Sequence, residues 1–323
     1  MLTYPVGTLN PKTSDALFRM SINTALGIGT TFALPLPSGQ TYDFWWTPGD
    51  GSSARHVTAY NDATATYDYG TPFIGQISIE GKCGGFSFNN GGDRLKVISV
   101  DQWGNVGFEI IDFYGCTNLS SLPLDEALEK TPLITGITQF VRNCISLTDI
   151  PVKTFSNSTL IVNTFRAFYT AGLTSLNADM FRYCTAITSF RECFAGYKGV
   201  SIPPDFFRYN VNVTTFNQCF VSSTTLRNIP ENVFFYNKLV TDYRGVFQST
   251  KLLNLPLVMF DLSVLNIVTD FTNFMNITSP VNSSNGIIQD IWNYALSATS
   301  LNALVNQTAL TNYASIPNAW KGL

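Results

Sequence analysis

The hydrophobic pattern changes character near residue 110. Residues 17–110 alternate apolar and polar positions in short runs broken by turn signals, the pattern of antiparallel strands with one buried face. The expected strands are Ala16–Thr24, Thr31–Pro37, Tyr42–Thr47, Ala54–Tyr60, Phe73–Glu80 and Leu95–Val100. Beyond this point the chain repeats itself. An aromatic column runs Phe113, Phe140, Phe168, Phe194, Phe220, Phe247 and Phe274, with successive gaps of 27, 28, 26, 26, 27 and 27 residues. A second column sets an apolar residue before proline, or once before Asn177: Leu122, Ile150, Leu176, Ile202, Ile229 and Leu255. A third runs Phe155, Phe181, Phe207, Phe234 and Phe260. Apolar pairs three apart keep the same period: Ile134 with Ile137, Val162 with Phe165, Ile187 with Phe190, Val213 with Phe216, Val240 with Tyr243 and Val268 with Phe271.

A fixed period of this length is the signature of a solenoid, in which each unit buries its apolar face against its neighbours. The segment around each apolar pair is rich in β-branched and aromatic residues and predicts a short strand. The segment after proline, as in Pro203-Pro204-Asp205-Phe206-Phe207, predicts a helical turn opened by proline and an acidic residue. The last units are atypical, and Trp292 and Trp320 are the expected residues of a C-terminal cap over the apolar end of the array.

The stretch IPENVFFYNKLVTDYRGVFQSTKLLNLP resembles the BspA-like leucine-rich repeats of bacterial and phage surface proteins, over roughly residues 111–323. Trp45-Trp46-Thr47-Pro48-Gly49-Asp50-Gly51, with Thr66-Tyr67-Asp68-Tyr69-Gly70 further on, resembles the polycystic-kidney-disease type of immunoglobulin-like domain, although Pro48 stands where an aromatic is usual. The expected fold class is therefore mainly β with short helices. An extended arm (1–16) leads into an immunoglobulin-like β-sandwich (17–110). A leucine-rich-repeat solenoid of about seven 26-28-residue repeats with its cap follows (111–323). The first resemblance implies adhesins, host-contact proteins and virion components, and transfers no catalytic residue.

Composition narrows the function classes. Hydrophobic residues make up 45% and charged residues only 13%, enough apolar side chain for a core and too little charge for a disordered chain. A net charge of -3 offers no basic field for nucleic acid. No apolar run is long enough to span a membrane. The first residues carry no basic and apolar leader pattern, so assembly in a cytoplasm is expected, or a leader already removed. Cys83, Cys116, Cys144, Cys184, Cys193 and Cys219 follow no metal-site spacing, and His56 is the single histidine, so no metal or other cofactor is expected. Cys193 and Cys219 share one repeat phase. They are read as small buried hydrophobes, with a disulfide as the alternative. Asp50-Gly51 is read as a hairpin turn before a carboxylate site, and His56 as a strand-surface residue.

No nucleophile with its base, phosphate loop or metal cage appears in the sequence, so no catalytic residue is assigned. The candidate binding column is the residue after the second member of each apolar pair: Thr138, Arg166, Arg191, Asn217, Arg244 and Thr272. Its arginines suit carboxylates, phosphates or sugars, and a merely solvated ladder is the alternative. The leading expectation is a non-enzymatic bacteriophage virion component, either a tail-fibre or receptor-binding adhesin or a capsid decoration protein, displayed on the virion surface. Its partners would be other virion proteins, a host cell-surface glycan or protein, or further copies of the chain. A secreted bacterial surface adhesin at the cell surface, and a carbohydrate-active enzyme on a repeat scaffold, are the alternatives.

Overall fold

The computed structural model describes residues 16–128, 133–253, 255–277, 288–296, 298–299 and 302–323. The expected arm therefore lies outside the described residues except for Ala16. The N-terminal strands are β1 (Phe18–Asn23), β2 (Thr31–Ala33), β3 (Tyr42–Thr47), β4 (Arg55–Val57), β5 (Thr66–Asp68), β6 (Ile74–Cys83), β7 (Gly85–Ser87) and β8 (Val97–Gln102), with β9 (Ile110–Asp112) at the start of the repeats. Alternation puts Phe18, Met20 and Ile22 of β1, Tyr42, Phe44 and Trp46 of β3, and Ile77 and Ile79 of β6 on one buried face.

The immunoglobulin-like sandwich is corrected by the pairing. One antiparallel sheet in the order β4-β3-β6-β1-β8 carries most of the strands, and only two-strand pairs, β2-β5 and β7-β9, accompany it. Proline explains part of the difference. The run expected from Thr31 to Pro37 stops at Ala33, because Pro35 and Pro37 have no N–H to give a ladder. Gly49 shows how tightly the β3–β4 turn sits on the sheet: its φ is +90°, and a Cβ there would lie 2.1 Å from the Gln76 carbonyl oxygen. The β7-β9 pair is parallel and aligns Phe86 with Ile111 and Ser87 with Asp112, which ties the strands on either side of the expected boundary after residue 110.

The leucine-rich-repeat solenoid is corrected too. Among the described residues after β9, the repeats contain no strand and no helical turn after most prolines. Successive units touch through single-residue parallel bridges, Gly136 to Asn163 to Ser189 to Thr215 to Asp242 to Asp270 to Thr299. The physical reason is a bend immediately after each bridge. The residue three beyond it is left-handed in unit after unit: Gln139 (φ 61), Arg166 (φ 54), Glu192 (φ 52), Gln218 (φ 54), Gly245 (φ 59) and Asn273 (φ 57). A strand cannot continue through such a residue. The chain instead runs as consecutive turns, and the post-proline segments are turns as well, as in Arg208 N–H to Asp205 C=O at 3.0 Å. A 3₁₀ helix, Leu262–Ile267, forms in one unit, capped by Asp261.

The turns distribute their amides in two directions. From Phe190 onward, the N–H groups of Phe190, Glu192, Phe194 and Gly196 donate to the next unit, to Thr215, Asn217, Cys219 and Val221. Those of Cys193, Ala195 and Tyr197 donate three residues back within the unit. The following units repeat the scheme, so buried main-chain donors are satisfied without a strand or a helix.

This backbone register corrects the aromatic column by one residue at two places. Val141 N–H donates to Ala167 and Phe168 N–H to Cys193, which sets Val141, not Phe140, level with Phe168. Phe247 N–H donates to Phe274, which sets Met275 level with Phe247. The rings show the same break. Where the register matches, Phe168–Phe194, Phe194–Phe220 and Phe220–Phe247 are parallel stacks, with interplanar angles of 9°, 10° and 16°. Where it slips, Phe140–Phe168 and Phe247–Phe274 cross at 78° and 71°. A second parallel stack runs Phe190, Phe216, Tyr243, Phe271. Each fully buried ring contributes about 1.5–3 kcal/mol through the apolar surface it removes from water.

Trp292 and Trp320 are 9% and 6% exposed and meet edge to face at 6.4 Å, with Trp320 also 5.5 Å from Phe271. Trp320 sits in α1 (Asn318–Lys321), and its carbonyl accepts the Leu304 N–H, so the last segment is tied to the preceding unit. Deleting residues 305–323 is expected to uncover this apolar end and cause aggregation, read by light scattering; a monodisperse truncation with unchanged melting would contradict the capping role. In the middle of the stack, Phe194→Ala is expected to cost about 3–5 kcal/mol in urea unfolding, because its cavity lies between two rings that cannot close over it.

Candidate functional site

The outward face of the repeats follows from the bridge. From Asn163 to Asp270 each bridge residue is small and polar, and its side chain accepts the amide two residues on: Asn163 for Phe165, Ser189 for Arg191, Thr215 for Asn217, Asp242 for Arg244 and Asp270 for Thr272, at 2.7–3.2 Å. These are local Asx and Ser/Thr turns, which start the bend. The preceding position is a threonine in most units. The hydroxyls of Thr188, Thr214, Thr241 and Thr269 each donate to the carbonyl of the unit before, at 3.0–3.4 Å.

The predicted binding column is only partly a column. Thr138, Arg191, Asn217, Arg244 and Thr272 all lie two residues past a bridge, but Arg166 lies three past Asn163, level with Glu192. The expected inward pair Val162 and Phe165 is in fact Ile161 and Thr164: Ile161 and Thr164 are fully buried, whereas Val162 is 42% exposed. Thr164 holds its buried place by donating to Ser189 C=O at 2.8 Å.

Two neighbourhoods result, with opposite charge balance. In the later units the polar groups pair with each other. Arg244 Nε donates to Asp270 at 2.9 Å, a second Arg244 nitrogen reaches the same carboxylate, and Asn217 donates to Asp242 at 2.9 Å. Partial burial of Asp270 opposes its ionisation, but the Arg244 hydrogen bonds outweigh this and hold the carboxyl below its usual value. Thr272 adds its amide to that carboxylate.

In the earlier units arginine is in surplus. Arg166 Nε donates to Glu192 at 2.7 Å, and Arg191 Nε stands 3.5 Å from the same, largely buried carboxylate. Arg142, which the sequence reading did not include, lies between two tyrosines, its guanidinium 4.5 Å from the Tyr114 centroid and 5.1 Å from that of Tyr169. Arg166 reaches Tyr169 as well (5.5 Å) and also Phe165 (4.7 Å), and Arg191 reaches Phe165 (5.4 Å). The signal for Arg142 was present in the pairs Phe113-Tyr114, Val141-Arg142 and Phe168-Tyr169, which share one phase once Val141 replaces Phe140 in the register.

A second aromatic and cationic row was also missed, although its motif recurs as Asp179-Met180-Phe181-Arg182-Tyr183 and Asp205-Phe206-Phe207-Arg208-Tyr209. Arg182 lies 5.2 Å from the Tyr209 ring and Arg208 5.2 Å from that of Tyr236, while Asp179 and Asp205 pair with their own arginines at 3.6 and 3.5 Å.

The remaining residues singled out in the sequence have structural surroundings. His56 stands on the outer face of β4, stacked on Trp45 at 4.7 Å, with Nε2 2.8 Å from Asp43. Asp50 accepts the Ser52 amide and the Tyr67 hydroxyl at the β3–β4 turn. The six cysteines are free and buried, Cys193 and Cys219 among them, and burial pushes the Cys184 thiol up to about 12. An open groove beside β8 carries Asp101, Asp125 and Glu126 on its walls. Each of these carboxylates is engaged: Asp101 by Ser21, Ser99 and Gln76, Asp125 by Lys153, and Glu126 by the Trp103 and Gly104 amides.

No protein-family model and no curated protein matches this sequence.

Asp261 is held down to about 2, first by the hydrogen bond from Lys238 and then by Ser263. A carboxyl whose folded pKa is depressed stabilises the fold above its unfolded value, near 3.9, and loses that contribution as pH falls toward about 2. Asp261→Asn is therefore expected to flatten the acid limb of stability against pH; an unaltered limb, measured by chemical denaturation at successive pH values, would show that the pair adds nothing.

Proposed function

We propose that this chain is a non-enzymatic attachment protein displayed on a particle surface, a bacteriophage virion component of tail-fibre, receptor-binding or capsid-decoration type that contacts a host cell-surface glycan or protein. The carrying observation is the outward polar face of the repeats. Its positions recur at every bridge, its main chain is fixed by hydrogen bonds to neighbouring units, and its side chains vary from unit to unit. A rigid support with variable outward residues suits recognition, because little conformational freedom is lost on binding.

Immunogold labelling and mass spectrometry of purified phage particles are expected to find the chain on the virion, and fluorescently labelled protein is expected to coat host cells. Recovery from bacterial envelopes and not from particles would favour the secreted adhesin. Absence from both, with no binding to cells, would remove the attachment reading.

A further inference from the structure

We propose that Arg142, Arg166 and Arg191, with the rings of Tyr114, Phe165 and Tyr169, form a binding site for an acidic saccharide, a sugar bearing carboxylate or sulfate groups. The proposal rests on the attachment reading and names the ligand of one part of that face. Charge is the first observation. For three guanidinium groups there is one carboxylate partner among the described residues, Glu192, which Arg166 and Arg191 approach through Nε and Arg142 does not. The terminal nitrogens of Arg166 and Arg191 have no protein acceptor among the described residues, and Arg191 is 57% exposed. The paired Arg244 and Asp270 further along show what a merely structural arginine looks like in this fold.

The second observation is Arg142. Its terminal nitrogen donates to Gln139 at 2.8 Å, its Nε is buried without an acceptor, and no carboxylate among the described residues pairs with it. A cation so placed is balanced only by the two tyrosine rings, so an arriving anion would gain more here than at an arginine already paired. The rings decide the rest. Tyr114, Phe165 and Tyr169 are only half-buried around the cations, which offers apolar surface to the C–H faces of a pyranose beside donors for its acidic substituent. A nucleic acid fits less well. The chain carries a net charge of -3, and the unpaired cations cover a few neighbouring units, too short a track for a polyphosphate backbone.

The test is calorimetric titration of the full chain with a heparin-derived hexasaccharide, a tetragalacturonate, neutral maltohexaose, inorganic sulfate and a single-stranded oligonucleotide. One or both acidic saccharides should bind with an affinity that falls with salt, the two arms separating sulfate from carboxylate, and maltohexaose should not bind. Arg191→Gln, at an exposed position, should weaken binding on the order of tenfold, the loss expected of a charge-assisted hydrogen bond. Arg142→Gln should do the same. Arg142→Lys, which keeps the charge and loses the planar stack, should weaken binding too, and Arg244→Gln should leave it unchanged. The proposal fails if the Arg142→Gln/Arg191→Gln double variant titrates like the original protein, if Arg244→Gln weakens binding equally, or if maltohexaose, sulfate or the oligonucleotide binds as tightly as the acidic saccharides. Should no acidic saccharide bind while labelled protein still coats cells, this site assignment falls and the attachment reading stands.

Discussion

The repeat region depends on how the main chain divides its amide hydrogen bonds. Along each run of turns, alternate N–H groups point to the next unit while the intervening ones close turns within their own. Neither set suffices alone. Isolated turns would leave half the donors buried and unpaired, and a cross-unit ladder alone would require a strand that the left-handed residues forbid. Together they fix each unit against its neighbour to within one residue, and the side-chain columns follow from that registration.

The left-handed corners come at a cost that the rest of the structure offsets. A non-glycine residue such as Arg166, Glu192 or Gln218 is strained there by about 1–3 kcal/mol, and at the equivalent place Gly245 and Asn273 are residues that adopt the left-handed conformation readily. The bridge residues lower the cost from one side by capping the amide two positions on. The stacked rings lower it from the other, since Phe168, Phe194, Phe220 and Phe247 keep face-to-face contact only if every corner turns alike. Buried polar side chains add a further tie: Asn210 donates to Phe181 and Cys184 carbonyls, and Asn237 to those of Phe207 and Asn210.

The same geometry joins the two halves. Phe18 on β1, Trp103 after β8, Phe113 and Phe140 form an unbroken aromatic path from the sheet into the first units. Glu126 secures it by accepting the Trp103 and Gly104 amides, at 2.8 and 3.1 Å. The first repeats thus begin on a finished surface, while the last end on the tryptophan pair. Between them lies the outward face, where the energetics of folding and of binding separate. Thr215, Asp242, Arg244 and Asp270 spend their polar groups on one another, whereas Arg142 and Arg191 retain unspent ones.

By itself the sequence determined the existence and period of the repeat, the strand faces of β1, β3 and β6, and the interior place of the regularly spaced phenylalanines such as Phe168, Phe194 and Phe220. All of these depend on which residues avoid water, and composition and spacing record that directly. It did not determine registration. Phe140 beside Val141, and Ile161 beside Val162, are adjacent residues equally suited to burial, and only hydrogen bonds to a unit some 26–28 residues away choose between them. The strand and helical turn expected in each unit gave way for a related reason, because a left-handed corner at Gln139 or Arg166 runs against the intrinsic preference of those residues and is held by hydrogen bonds to the next unit, with a local turn at Asn163 helping to start it. The candidate site followed the registration: Arg166 left the column, Arg142 and the tyrosines entered the neighbourhood, and Arg244 was neutralised by Asp270. Which arginine keeps a free charge is a property of neighbours brought together by the stack, so the tertiary structure alone could decide it.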